Sequence, residues 1–127
     1  MTVLDPWKTG LIEVEVDPPA VDREPQAILW EGTEGVGFRR IVRLTHGEAD
    51  LLLTLKSDHA GNDVGVILPT GRHLIMAFGG AGYWLDVCQL DKSKRIPLFP
   101  IIAAMPCLDL GLVAIHDFTR IAVFSEE

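Results

Sequence analysis

The chain has 127 residues, 48% of them apolar, and a formal charge of −7 from 11 basic and 18 acidic side chains. That length suits one β domain over residues 1–127, able to bury about two-thirds of its unfolded surface without a disulfide or metal staple. The apolar content excludes a disordered chain, and the negative charge argues against a phosphate-backbone partner. No apolar run approaches the ~18 residues of a bilayer span. No charged-then-apolar leader opens the chain. A cytoplasmic protein that binds neither nucleic acid nor membrane is therefore expected. Its two cysteines, Cys88 and Cys107, are expected to be reduced and buried.

Residues 1–10 read as a lead-in. Residues 11–16 alternate cleanly, with Ile12, Val14 and Val16 on one face and Glu13 and Glu15 on the other, which predicts a half-buried strand. Asp17-Pro18-Pro19 stops it, because proline cannot donate to a ladder. A short strand follows over 26–30. Residues 38–44 predict another, with Phe38, Arg40, Val42 and Leu44 sharing a face. Over 50–56, Leu51, Leu53 and Leu55 alternate with polar neighbours. That favours a strand over a competing helix at 48–56, although leucine is a good helix former.

Residues 64–68 are strand-like and lead into the most apolar stretch of the chain. Residues 73–78 and 83–88 are apolar on both faces and flank Gly79-Gly80-Ala81-Gly82. This predicts a hairpin with a four-residue glycine turn, in the middle of a sheet or between two layers. Residues 91–95 form a charged turn. The apolar connection 96–107 carries Pro97, Pro100 and Pro106, which forbid a regular helix or a central strand. A last hairpin joins 112–115 to 120–124.

Gly71 and Gly111, 40 residues apart, each precede an apolar strand, a turn and a second apolar strand. Each unit resembles the paired strands of a β-propeller blade. A closed propeller needs at least four four-stranded blades, more than this length supplies. The fold class expected is all-β, about nine strands in mostly antiparallel hairpins, as an open sheet, sandwich or partly closed barrel.

Nothing in the sequence assigns a chemistry. The glycine turn has no following helix, Lys or Ser/Thr, so it lacks the context of a phosphate loop. The four histidines show no ligand spacing, so neither a metal nor a cofactor is expected. Neither cysteine has a neighbouring cation, and no serine lies in GxSxG. Trp7, Trp30 and Trp84 are core residues or, half-exposed, binding residues.

Two functional expectations follow. The first is a non-catalytic interaction or adaptor module, a homo-oligomer or a binder of another protein, contacting through Leu98, Phe99, Ile101 and Ile102. The alternative is a ligand-binding or hydrolytic β pocket that uses Trp84 with His116 and Asp117, or Asp58 and His59, an Asp being able to orient an imidazole.

Overall fold

The apolar hairpin lies in the middle layer of three stacked sheets. The computed structural model describes residues 1–19, 24–31, 37–59 and 63–126, with the side chains of Ala27, Trp30 and Glu31 excepted. These residues form strands β1 (Thr2–Leu4), β2 (Ile12–Val16), β3 (Ala27–Glu31), β4 (Phe38–His46), β5 (Ala49–Ser57) and β6 (Val64–Ile67). After them come β7 (His73–Phe78), β8 (Ala81–Asp86), β9 (Lys94–Arg95), β10 (Ala103–Cys107), β11 (Leu112–His116) and β12 (Ile121–Phe124). The central sheet runs β1-β6-β7-β8-β9. One outer sheet runs β2-β4-β5-β3 and the other β10-β11-β12. Pairing is antiparallel except for β1 with β6 and β3 with β5. None of the three sheets closes on itself. The fold is all-β, as expected, without the barrel closure.

The alternation of β7 builds two cores at once. Leu74, Met76 and Phe78 point to the four-stranded sheet and meet Val42, Leu44, Leu53 and Leu55. Ile75 and Ala77 point the other way, to Val113 and Ile115 of the three-stranded sheet and to Ile96, Leu98 and Ile101. Each fully buried large apolar side chain contributes about 1.5–3 kcal/mol. The hairpin β11–β12 packs on the second face of β7–β8, so the two glycine-headed units are neighbouring layers.

The turn is tighter than the glycine count suggests. Phe78 pairs with Ala81, leaving only Gly79 and Gly80 between the strands, at φ 57° and 83°. Positive φ at both central residues is what a type I′ turn requires. Gly82 belongs to β8, and a Cβ there would lie 2.1 Å from Ile101 Cδ1. The bare backbone lets the proline-rich connection press onto the central sheet.

Several sequence expectations are corrected. Residues 2–4 are not a lead-in: they pair in parallel with β6 and extend the central sheet. Lys94 and Arg95 leave the charged turn to pair with Trp84 and Tyr83. The connection ends early, because residues 103–107 form β10. Pro106 is tolerated there because β10 is an edge strand. The strand favoured over a helix at 50–56 does form, as β5. Both cysteines are exposed rather than buried. Cys88 lies beyond the end of β8, where its N–H and that of Gln89 donate to Asp86 Oδ1 and turn the chain. Cys107 ends β10 in register with Leu112.

Candidate functional site

The proline-rich connection serves the chain's own core. Leu98 is 4% exposed and Ile101 1%, both within the second core. The Ile96 N–H donates to Gly82 O and the Ile101 N–H to Gly80 O, at 2.8 Å each. Ile102 is half-buried, and its N–H donates to His116 O. Phe99 is the most exposed of the four expected contact residues, at 37%, with its ring edge-on to His59 at 5.1 Å.

Asp117 is a turn residue. Its Oδ1 accepts the Thr119 and Arg120 N–H groups at 2.9 and 2.7 Å, and its Oδ2 accepts the Arg120 guanidinium at 3.0 Å. The Thr119 amide lowers its pKa most. Burial opposes, the Arg120 amide and side chain add, and the carboxyl falls from 3.8 to about 2. A carboxylate so occupied does not orient a base. The His116 ring sits with Nδ1 3.1 Å from Asp117 O. Neither residue lines the cleft at Trp84. His59 lines a separate hollow of about 190 Å³ with Phe38, Arg39, Arg40 and Asp63, and Asp58 is not among its walls. Among the described residues no three His, Cys, Asp or Glu side chains converge to hold a metal.

Of the tryptophans, Trp7 packs against the second core and donates from Nε1 to Leu108 O at 3.1 Å. The Trp30 side chain lies outside the described residues. Trp84 has two ring neighbours, His73 at 5.0 Å and Phe124 at 6.1 Å, both at about 30° to the indole.

The outer face of the three-stranded sheet is the least expected surface. Residues alternate in and out along a strand. The register sends Ala104, Val113, Ile115, Ala122 and Phe124 inward to the core. The outward set is then Ala103, Met105 and Cys107 on β10, Leu112, Ala114 and His116 on β11, and Ile121 and Val123 on β12. None of these carries a formal charge with His neutral. Met105, Ile121 and Val123 are 48, 71 and 59% exposed. Phe118, Leu108 and Leu110 add exposed apolar side chains in the flanking turns.

The other outer sheet supplies the contrast within one molecule. Its outward positions include Glu13 and Glu15 on β2, Arg39 and Arg43 on β4, and Asp50 and Lys56 on β5. Arg43 and Asp50 pair there at 2.7 Å. One outer face carries charged side chains around the buried Leu52 and Thr54, and the other carries none on its strands. The signal was present in the sequence: β10, β11 and β12 lack charge at both alternating positions. The hairpin alone does not say which of its faces is covered. A comparison with protein-family models, with curated proteins and with solved structures finds no match to this chain.

Proposed function

We propose that this protein is a non-catalytic interaction module that docks through the outer face of the three-stranded sheet, and that its partner is a second copy. The observation that supports the reading is the uncharged set of eight outward residues, against a charged outer face at the opposite end of the stack. Contiguous exposed apolar surface of this kind marks interaction sites.

The second copy is favoured by charge. The chain carries −7, so two copies repel wherever their acidic surfaces meet. On this face no formal charge is set against its like. A head-to-tail stack would press the apolar face on Glu13, Glu15, Arg39 and Lys56 and strip water from them at a cost. Face-to-face packing avoids that and closes as a two-fold dimer.

Sedimentation equilibrium tests the reading. The wild type is expected to be a concentration-dependent dimer and Val123→Lys a monomer with an unchanged circular dichroism spectrum. A wild type that stays monomeric up to millimolar concentration overturns it. So does a Val123→Lys variant that dimerises as well as the wild type.

A further inference from the structure

The edge of β12 is a surface distinct from the outward face of its sheet. The β11–β12 turn is closed by the Asp117 N–H donating to Arg120 O. Bonded and non-bonded pairs alternate along an antiparallel ladder. Counted from that turn, Ile115–Ala122 and Val113–Phe124 are the bonded pairs, while Ile121 and Val123 face His116 and Ala114 in non-bonded ones. His116 accordingly turns its C=O toward the other neighbour, where it accepts the Ile102 N–H. Ile121 and Val123 therefore present their N–H and C=O groups along the free edge. Among the described residues no strand pairs with that edge.

Proteins ordinarily blunt an open edge with proline, charge or a bulge. The opposite edge of the same sheet, β10, carries Pro106. β12 reads Ile-Ala-Val-Phe, with neither proline nor charge.

Two hollows lie along this edge. One, of about 370 Å³, is bounded by Phe124 and Ser125 at the end of β12 and by Trp84 and Lys94 of the central sheet. The other, of about 310 Å³, is bounded by Arg120 just before β12 and by Leu98 and Phe99. Both share Arg95, Ile96 and Pro97, so they form one trough beside the strand. An extended chain running from Arg120 to Ser125 spans about 17 Å, with side chains on one face about 7 Å apart.

We propose that β12 takes up an extended peptide segment of another protein as an added antiparallel strand, with apolar side chains at alternate positions seated in the trough. Main-chain bonds to Ile121 and Val123 supply affinity, and the hollows supply sequence preference. Opposite residues of an antiparallel pair share a face. The residues bonded to Ile121 and Val123 thus turn outward, and those between them turn toward Trp84 and Pro97. A second copy pairing through its own β12 does not fill the trough, because its inward residues Ala122 and Phe124 already pack on its own core. A segment with both faces free does. The site is compatible with the face-to-face dimer, which uses the side chains of Ile121 and Val123 and not their backbone.

The probe is the capped peptide acetyl-Lys-Thr-Phe-Thr-Phe-Thr-Lys-amide, followed by amide and indole NMR shifts of the full chain. Saturable binding is expected, with shifts at the Ile121 and Val123 amides and at Trp84 Nε1. N-methylation of the threonine amides removes the bonds to β12 and should weaken binding at least about tenfold. N-methylation of the phenylalanine amides, which point away from β12, should leave it intact. Replacing both phenylalanines by threonine keeps the peptide's charge but empties the trough, and should also abolish binding. Val123→Lys keeps the backbone of the edge and should still bind, whether or not the wild type dimerises. Equal tolerance of the two methylation patterns overturns the added strand. Loss of binding in Val123→Lys, shifts centred away from β12, or no saturation overturns the site.

Discussion

His73 Nδ1 lies 2.6 Å from Glu126 Oε2, so the first residue of β7 holds the segment that follows β12. The same carboxylate accepts the Thr70 N–H at 2.9 Å. The contact closes the central sheet against the three-stranded sheet beside Trp84.

Removing that carboxylate should loosen the layer. Burial pushes the Glu126 pKa up, but the bonds from Thr70 and His73 outweigh it, and the net value lies below the ordinary 4.5. A depressed carboxylate stabilises the fold fully above its unfolded pKa and loses that contribution as pH falls through the folded value. Glu126→Ala should therefore cost about 2 kcal/mol at pH 7, read from urea unfolding. The gap to wild type should shrink as the pH falls below 4.5 and through the depressed folded value.

The glycine turn should be a folding position. Gly80 has φ 83°, and a Cβ there would stand 2.9 Å from Pro100 Cβ. Gly80→Ala combines a disfavoured dihedral with crowding and should cost about 1–3 kcal/mol. Equilibrium unfolding measures it.

Asp117 gives a pH signature for the last turn. Its pKa of about 2 means the turn is held above pH 3.8 and released as pH falls through 2. Amide NMR shifts of Thr119 and Arg120 should titrate together near pH 2. In Asp117→Asn that titration should vanish, and the β11–β12 turn should exchange its amide protons faster.

The two exposed cysteines offer an internal comparison. Cys107 lies on the outward face of β10, and Cys88 lies in the turn beyond β8. If two copies pack through the three-stranded sheet, maleimide labelling of Cys107 should slow several-fold as protein concentration rises. Labelling of Cys88 should not. Equal rates at all concentrations would count against the dimer.

Alternation was enough to find the main strands, because β2 and β4 each turn apolar residues to the core and charged ones outward, and β5 keeps Leu51, Leu53 and Leu55 on one face. The two-sided apolarity of residues 73–78 also pointed to a middle layer. What alternation missed depends on partners distant in sequence. Thr2–Leu4 is strand only because β6 offers an edge, and Lys94–Arg95 only because β8 does. The connection at 96–102 was apolar for a reason the sequence left open, own core or partner. Leu98 and Ile101 turn toward the core, Phe99 toward solvent. The candidate surfaces were less legible still. The cleft joins residues 84, 94–97 and 124–125, which only stacking of the two sheets brings together. Pairing Trp84 with His116 and Asp117 assumed that one hairpin end reaches the other; the layers place them apart.

A strand with one apolar face has its register fixed by burial, since slipping one residue would send its core face to water. β7 has no such penalty: the slip would exchange one oily face for another. Its alignment with β8 has to come from features that are not apolar. The two-residue turn at Gly79 and Gly80 fixes one end. At the other, Arg72 grips Asp86 with two parallel bonds, Nε to Oδ1 at 3.1 Å and Nη2 to Oδ2 at 2.9 Å. A charged pair at the rim of the central sheet thus acts as an alignment key, choosing between two pairings that hydrophobicity alone would leave nearly degenerate.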